Sequence, residues 1–203
     1  MSKENSILSE NALDAGYWNQ RYEVENTPWN LNSMSIPLNY LVKLYTRPNH
    51  SLLIPGAGMG HELNWLHEHG FTKAVALDWS SEAIESSKMQ YPEIPQSAWI
   101  QGDFFEHDEQ YDCVLEQTFF CALAPKQRKD YVNQVSRILK PGGILMGVWF
   151  HFPLIGKGPP FGGNHVEYRI LLKDYFDFLR FEPCRISIPE RTGQEWMVVA
   201  RKK

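Results

Sequence analysis

The sequence predicts a doubly wound α/β domain, built on a mostly parallel, seven-stranded sheet with helices on both faces. Three observations carry this reading. Short runs that are apolar on both faces alternate with stretches whose apolar residues recur every three or four positions. The strand-like run at 51–55 passes directly into glycines at 56, 58 and 60, then into a helix-like stretch. A chain of 203 residues fits one domain, and at that size roughly 70% of the unfolded surface can be buried without help from a disulfide or a metal. Strand, helix and strand repeated in this way call for a parallel sheet covered on both sides.

The elements follow one another after residue 50. SLLIP (51–55), KAVALD (73–78), SAWIQ (97–101) and YDCVLE (111–116) read as the first four strands. ILMGVWF (144–150), CRISI (184–188) and EWMVVAR (195–201) read as the last three. Between them lie the helix-like stretches HELNWLHEHG after the glycines, SSEAIESSKMQ from 80, KQRKDYVNQVSRILK from 126 and HVEYRILLKDYFDFL from 165. Ser80 and Ser81 ahead of Glu82 suit a helix N-cap, and Lys140-Pro141-Gly142-Gly143 ends the third helix and turns the chain. There is no internal repeat and no linker. Residues 1–36 precede the alternating pattern and are expected to form an N-terminal arm or lid over the site of a single domain covering 1–203.

Composition narrows the function. Hydrophobic residues at 43% and charged residues at 22% are ordinary for a globular protein, but an aromatic share of 13%, with seven Trp, is high. A formal charge of −4 without a cluster of Lys and Arg argues against nucleic acid as a partner. Cys113, Cys121 and Cys184 are odd in number and widely spaced, which indicates neither a disulfide framework nor a zinc site and fits a reducing cytoplasm. His67 and His69, two residues apart, fall on different faces of a helix, so no metal pair is expected. The N-terminus lacks the apolar core of a secretory signal. The longest apolar stretch, at 144–155, is too short to cross a bilayer and contains His151 and Pro153. The expected partner is a small molecule, without nucleic acid or membrane; a monomer is compatible, and the oligomeric state stays open.

In a doubly wound sheet the ligand lies beyond the carboxyl ends of the strands, where strand order reverses. The glycine loop leaves the first strand at that edge. A dinucleotide fingerprint needs Gly-x-Gly-x-x-Gly or Ala, yet its third small position is held here by His61, and no Gly-Lys-Ser or Gly-Lys-Thr follows to make a P-loop. What remains, Gly56, Gly58 and Gly60 followed by Glu62, suits a ligand without a pyrophosphate whose amino-acid end meets the loop and whose ammonium can use a carboxylate. S-adenosylmethionine has those features. Asp78, with Trp79 beside it, ends the second strand about twenty residues downstream, where an acid accepts hydrogen bonds from ribose hydroxyls. Asp103 and Phe104 follow the third strand and pair an acceptor for an exocyclic amine with a ring beside an adenine. A glycine triplet alone carries little specificity; the triplet with acids at two successive strand ends carries much more.

The stretches YWNQRYEVENTPWNLN, LLIPGAGMGHELNWL, ALDWSSEAI, GDFFE, YDCVLEQTFFCALAP, LKPGG and GPPF occur in that order. Together they resemble the thiopurine S-methyltransferase family from about Tyr17 to the C-terminus, with its thiol and halide methyltransferase branch closest through TPWN and TFFCA. LKPGG and the glycine loop are widespread among class I methyltransferases; the N-terminal Trp motif, TFFCA and GPPF are more specific. The resemblance implies a Rossmann-like class I methyltransferase fold and S-adenosylmethionine as cofactor, with S-adenosylhomocysteine as its product. It further implies Trp29 against the cofactor and Glu116 at the acidic position after the fourth strand. At the next position, which faces the acceptor, Tyr is common in the plant halide and thiol enzymes and Arg in the thiopurine enzymes, whereas this chain has Gln117. Glutamine is neither a base nor a charge partner, so the acceptor chemistry of neither branch transfers directly.

Methyl transfer from a sulfonium is an in-line displacement in which positioning supplies most of the catalysis. The reaction removes charge from sulfur and from an anionic acceptor, so a dry pocket favours it. Phe119, Phe120, Trp149, Phe150, Phe152 and Phe161 are the expected walls of that pocket, and Trp29 can place its face near the sulfonium. A thiol acceptor must lose a proton, for which Arg128, His151 and Arg191 are candidates, with Arg191 favoured. The same rings also suit an ordinary core, Trp18 and Trp29 also suit the pinning of the arm, and Cys121 reads as pocket wall or core. The leading expectation is an S-adenosylmethionine-dependent methyltransferase acting on a thiol, thione, halide or chalcogen anion. Two alternatives stay open: a nicotinamide-dependent oxidoreductase, against which His61 counts, and a cofactor-binding protein without catalysis, which Gln117 keeps in play.

Overall fold

The computed structural model describes residues 13–155 and 158–203. Its strands are β1 (Leu52–Pro55), β2 (Ala74–Asp78), β3 (Trp99–Gln101), β4 (Tyr111–Gln117), β5 (Leu139–Phe150), β6 (Phe176–Pro183) and β7 (Glu195–Lys202). They form one sheet in the order β3-β2-β1-β4-β5-β7-β6. The first five strands are parallel, β7 adds antiparallel to β5, and β6 pairs antiparallel with β7 and so runs in the direction of the first five. Order reverses between β1 and β4, the switch point at which such sheets bind ligands.

The helices are α1 (Ala15–Glu23), α2 (Ile36–Tyr45), α3 (His61–Glu68), α4 (Ser81–Gln90), α5 (Arg128–Ile138) and α6 (His165–Leu172). One face of the sheet packs against Leu38, Leu41 and Val42 of α2, Leu63 and Leu66 of α3, and Ile84 of α4. The other packs against Tyr131, Val132, Val135 and Ile138 of α5 and Tyr168 and Leu172 of α6. With both faces covered, β1 is buried along its whole length, which is why it reads as a continuous apolar run. α4 begins where expected, with Ser80 accepting the Ala83 N–H at 3.1 Å.

The structure departs from the sequence reading in three places. The sixth strand is Phe176–Pro183, not 184–188, and the helix expected from 165 ends at Leu172. Beyond Leu172 the apolar residues Phe176 and Phe178 are two apart, the period of a strand, and both pack on the α5 side of the sheet. Lys140-Pro141-Gly142-Gly143 lies inside β5, as a bulge between the pairings Tyr111↔Leu139 and Cys113↔Ile144. α1 and α2 are additional. α2 starts with Ser35 accepting the Leu38 N–H at 3.3 Å and has Pro37 in its first turn. α1 starts with Asp14 accepting the Tyr17 N–H at 2.9 Å and buries no residue fully, so it leaves little apolar signature. Among the described residues no helix is long and apolar enough to cross a membrane, and no group of three or more metal-ligating side chains converges.

Gly60 is the position where the backbone is most demanding. It caps α3 at φ +71°, and an added Cβ would lie 2.5 Å from the Trp99 ring. Gly60→Ala combines a strained backbone with overpacking and is expected to cost about 2 to 4 kcal/mol. Thermal denaturation should show the midpoint falling by roughly 5 to 15 °C.

Candidate active site

The turn from β1 to α3 is held from below by a carboxylate. Asp78, the last residue of β2, accepts the Gly58 N–H at 2.8 Å through Oδ2 and the Ser80 N–H at 2.9 Å through Oδ1. Burial pushes its pKa up, while the N–H groups of Ser80, Gly58 and Trp79 pull it down. Ser87 Oγ donates to Gly58 O at 2.9 Å, so α4 also grips the loop. Gly58 has φ +54°, and a Cβ there would meet the Tyr22 hydroxyl at 2.8 Å. The loop is therefore shaped by Asp78 beneath it and by Tyr22 of the N-terminal segment above it.

That segment is fastened at three points around the sheet edge. Asn19 Oδ1 accepts from Ser80 Oγ at 2.7 Å. Asn30 Oδ1 meets His61 Nε2 at 2.8 Å, while His61 Nδ1 meets the Tyr91 hydroxyl at 2.6 Å. A carboxamide oxygen only accepts, so Nε2 carries the ring proton and Nδ1 accepts from Tyr91. The third fastening is Arg191 Nη2 donating to Trp29 O at 3.3 Å. Trp29 itself donates its indole N–H to the Tyr22 hydroxyl at 3.3 Å and meets Trp18 edge to face at 5.6 Å. Of the arm expected over residues 1–36, residues 1–12 lie outside the described residues.

Between this segment and the strand ends lies a cavity of about 300 Å³. Its lining combines two sets of residues. The first comprises Gly56, Asp78, Trp79, Asp103, Phe104 and Phe119, from the ends of β1, β2, β3 and β4. The second comprises Trp18, Arg21, Trp29, Phe150, Pro159, Pro160 and Arg191, from the arm, the end of β5, the GPPF loop and the turn before β7. Thr118 also faces the cavity, at φ +65°, an uncommon conformation for a β-branched residue.

Of the residues singled out from sequence, Trp18, Trp29, Gly56, Asp78, Trp79, Asp103, Phe104, Phe119, Cys121, Phe150 and Arg191 line the cavity. The others are placed elsewhere. Gly58 and Gly60 belong to the loop but not to the cavity wall, and a Cβ on them would meet the Tyr22 hydroxyl and the Trp99 ring respectively. Glu62 is half-buried on the first turn of α3, outside the cavity wall, and burial pushes its carboxyl up to about 7. Glu116 is buried with both oxygens engaged: Oε2 accepts the Phe119 and Phe120 N–H groups at 3.2 Å each, and Oε1 accepts from Trp149 Nε1. It shapes the turn after β4 rather than the cavity surface, and burial pushes it up to about 7. Gln117 turns away and donates Nε2 to Glu195 Oε1 at 2.9 Å.

Phe120 and Trp149 stack at 4.2 Å beneath the site, both only 1% exposed, so they support the walls without forming them. Phe152 packs on Phe150 at 5.1 Å, and Phe161 is buried with its N–H donated to Cys121 O at 2.6 Å. His151 meets His165 at 2.9 Å and stacks on Trp196, away from the cavity. Arg128 is buried against Phe120 and Tyr168, binds Glu167 at 2.7 Å and donates to Gly162 O at 2.5 Å, thereby fixing the GPPF loop. Sequence reasoning did not single out Tyr22 or Thr118. Tyr22 stands four residues after Trp18, a helical spacing that places both on one side of α1.

Comparisons with known proteins give the family of the chain and its likeness in fold. The family model described as Thiopurine S-methyltransferase (TPMT) matches residues 13–202. The chain is similar to "Probable thiol methyltransferase 2" of Arabidopsis thaliana, at 29% identity over 195 residues, 93% of this chain and 85% of the relative. It is similar to "Thiocyanate methyltransferase 1" of the same plant at 26% identity over 189 residues, 90% of this chain and 83% of the relative. Among solved structures, the Burkholderia thailandensis 1,6-didemethyltoxoflavin-N1-methyltransferase with bound 1,6-didemethyltoxoflavin and S-adenosylhomocysteine matches with a TM-score of 0.78. That match covers 100% of this chain and 93% of that one at 15% identity, a likeness of fold.

The double attachment of Asp78 sets an expected outcome for its removal. Asp78→Ala leaves the Gly58 and Ser80 N–H groups buried and unpaired, at about 1 to 3 kcal/mol each. Calorimetry should show S-adenosylhomocysteine binding at least tenfold more weakly, and a melt should show a lowered midpoint, because the loop loses its anchor together with its acceptor.

Proposed function

We propose that this chain, which belongs to the thiopurine S-methyltransferase family, moves the methyl group of S-adenosylmethionine onto a small soft anion or thiolate. The observation that carries this reading is the mixed lining of the cavity, with carboxylates and rings from the ends of β2, β3 and β4, and with rings, prolines and the guanidinium groups of Arg21 and Arg191 from the arm, the end of β5, the GPPF loop and the turn before β7. When bound, S-adenosylmethionine supplies a methyl group already activated by its sulfonium. The first set of lining residues fits that group. Each Asp78 oxygen accepts one N–H and keeps a lone pair for a ribose hydroxyl, while Asp103 and the Phe104 and Phe119 rings offer an acceptor and apolar faces to an adenine. Family membership removes the nicotinamide alternative, and His61 has a positive role in tying Asn30 of the arm to the first turn of α3.

The second set of lining residues supports the acceptor assignment. Trp18, Trp29, Phe150, Pro159 and Pro160 exclude water, which strips the hydration shell from an anion and raises its reactivity. Arg191 supplies donors to hold that anion and favours the ionised form of a thiol. The protonatable groups nearby are poor bases: burial pushes the Cys121 thiol and the Tyr22 phenol well above their usual ranges. The acceptor therefore arrives ionised or ionises against Arg191. At about 300 Å³ the cavity is at the small end for ligand sites, roughly 300 to 1,000 Å³, although it must hold two ligands. That favours bisulfide, thiocyanate, halides and compact thiols over a bicyclic heterocycle. The N-terminal arm acts as a lid, since it supplies Trp18 and Trp29 to the wall and, over its described residues, is tied to the sheet edge through side-chain hydrogen bonds of Asn19, Asn30 and Arg191.

Transfer of a labelled methyl group to a panel of iodide, bisulfide, thiocyanate, an aryl thiol, a thiopurine, selenite and tellurite tests the assignment. The small anions are expected to turn over fastest. Turnover on the thiopurine alone, or no turnover by protein that binds S-adenosylhomocysteine, would contradict it. Trp29→Ala is expected to raise the apparent constants for cofactor and acceptor together, by roughly tenfold each, as the loss of a lid residue should. A Trp29 that only pins the arm would lower the melting point and leave both constants alone.

A further inference from the structure

Gln117 and Glu195 lie outside the cavity wall, yet Gln117 is linked through Glu195 to Arg191, one of the two arginines that line it, the other being Arg21 over the Trp29 ring. Arg191 is held by three loose restraints: Nη1 to Glu195 Oε1 at 3.5 Å, Nη2 to Trp29 O at 3.3 Å, and the guanidinium over the Phe150 ring at 5.5 Å from its centroid. Both hydrogen bonds are longer than the usual 2.7 to 3.2 Å range, so neither alone fixes the head group. Its orientation follows the position of Glu195 Oε1. Glu195 is only 3% exposed, and its Oε2 is buried without a hydrogen-bond partner among the described residues. The short bond on that carboxylate is the one from Gln117 Nε2, at 2.9 Å. A buried carboxylate with one oxygen orphaned is placed by whatever donates to the other, and here that donor is a neutral amide reaching across from the end of β4.

From this connected set we propose that Gln117 and Glu195 are positioning residues for the acceptor, acting on the anion only through Arg191. The inference rests on the methyltransferase reading of the cavity. Glutamine suits the position because it donates without charge. A cation there would compete with Arg191 for the carboxylate, and a second carboxylate would repel it. Glu195 opposes the anion electrostatically while aiming the guanidinium at it, and these two effects have opposite signs in a mutational test. If charge alone mattered, Glu195→Gln would tighten anion binding. If positioning dominates, the same change weakens it.

The experiment is calorimetric titration of thiocyanate into the complex with S-adenosylhomocysteine, for the unmodified protein, Gln117→Met, Glu195→Gln and the double variant. Each single change is expected to weaken thiocyanate binding about five- to tenfold, and the double variant about as much as either single one, because both lie on one path. The affinity for S-adenosylhomocysteine should stay within about twofold throughout, which a general loss of structure would not allow. Glu195→Gln that binds thiocyanate equally or more tightly, additive losses, a parallel fall in cofactor affinity, or no thiocyanate binding by the unmodified protein would each overturn the inference. Turnover is not needed for this readout. Protein that binds thiocyanate as expected but transfers no methyl group would sink the functional reading and leave the positioning relay standing.

Discussion

The carboxylate of Asp78 joins two N–H groups that the fold would otherwise leave buried and unpaired, those of Gly58 and Ser80. Burying an ionised carboxylate is costly, and two charge-assisted hydrogen bonds from the backbone offset that cost. The result is a rigid corner in which β2 fixes both the glycine loop after β1 and the first turn of α4. Asn19 then fastens α1 to the same Ser80, so the N-terminal segment takes its position from the corner as well. A residue at a strand end thus organises protein on both sides of the cavity before any ligand arrives, and still presents free lone pairs toward it.

The far side of the site follows a different plan. Trp29 and Arg191 are 162 positions apart and meet through a single backbone carbonyl. Behind them an aromatic layer, with Phe120 stacked on Trp149 and edge to face with Tyr131 and Tyr168, gives the apolar walls a stiff backing. Glu116 pins this layer to the turn after β4 by accepting from both the Trp149 indole and the Phe119 and Phe120 amides. The wall residues are few, but the packing that aims them runs through β4, β5, α5 and α6. Carboxylates at the strand ends together with apolar walls supplied in part by the N-terminal segment suit a reaction that needs a dry, well-positioned acceptor.

Much of this was legible in the sequence because strand ends and glycine turns are local. Six of the seven strands were recognisable as strand-like runs, most of them apolar on both faces, and Asp78 and Asp103 followed from their position after such runs. β6 was not, since its aromatic residues follow a helical stretch closely enough to be read as one more turn of it. α1 was hidden because it buries no residue completely. The expected roles of Glu116, Gln117 and His151 depended on side-chain direction, which is set by partners 33, 78 and 14 residues away. Spacing along the chain holds no information about such partners. His61 shows the same limit from the other side: as a sequence feature it only disfavoured a dinucleotide loop, whereas in the fold it links Asn30 to Tyr91.

The central claim is that the cofactor corner is built by the protein's own hydrogen bonds and not by the ligand. Amide hydrogen exchange at Gly58 and Ser80, measured without and with S-adenosylhomocysteine, tests it most directly. Both amides should be strongly protected in the free protein, to the level of neighbouring strand amides, with little further gain on binding. Exchange at the rate of an open loop in the free protein, with protection appearing only when the ligand is added, would contradict the account.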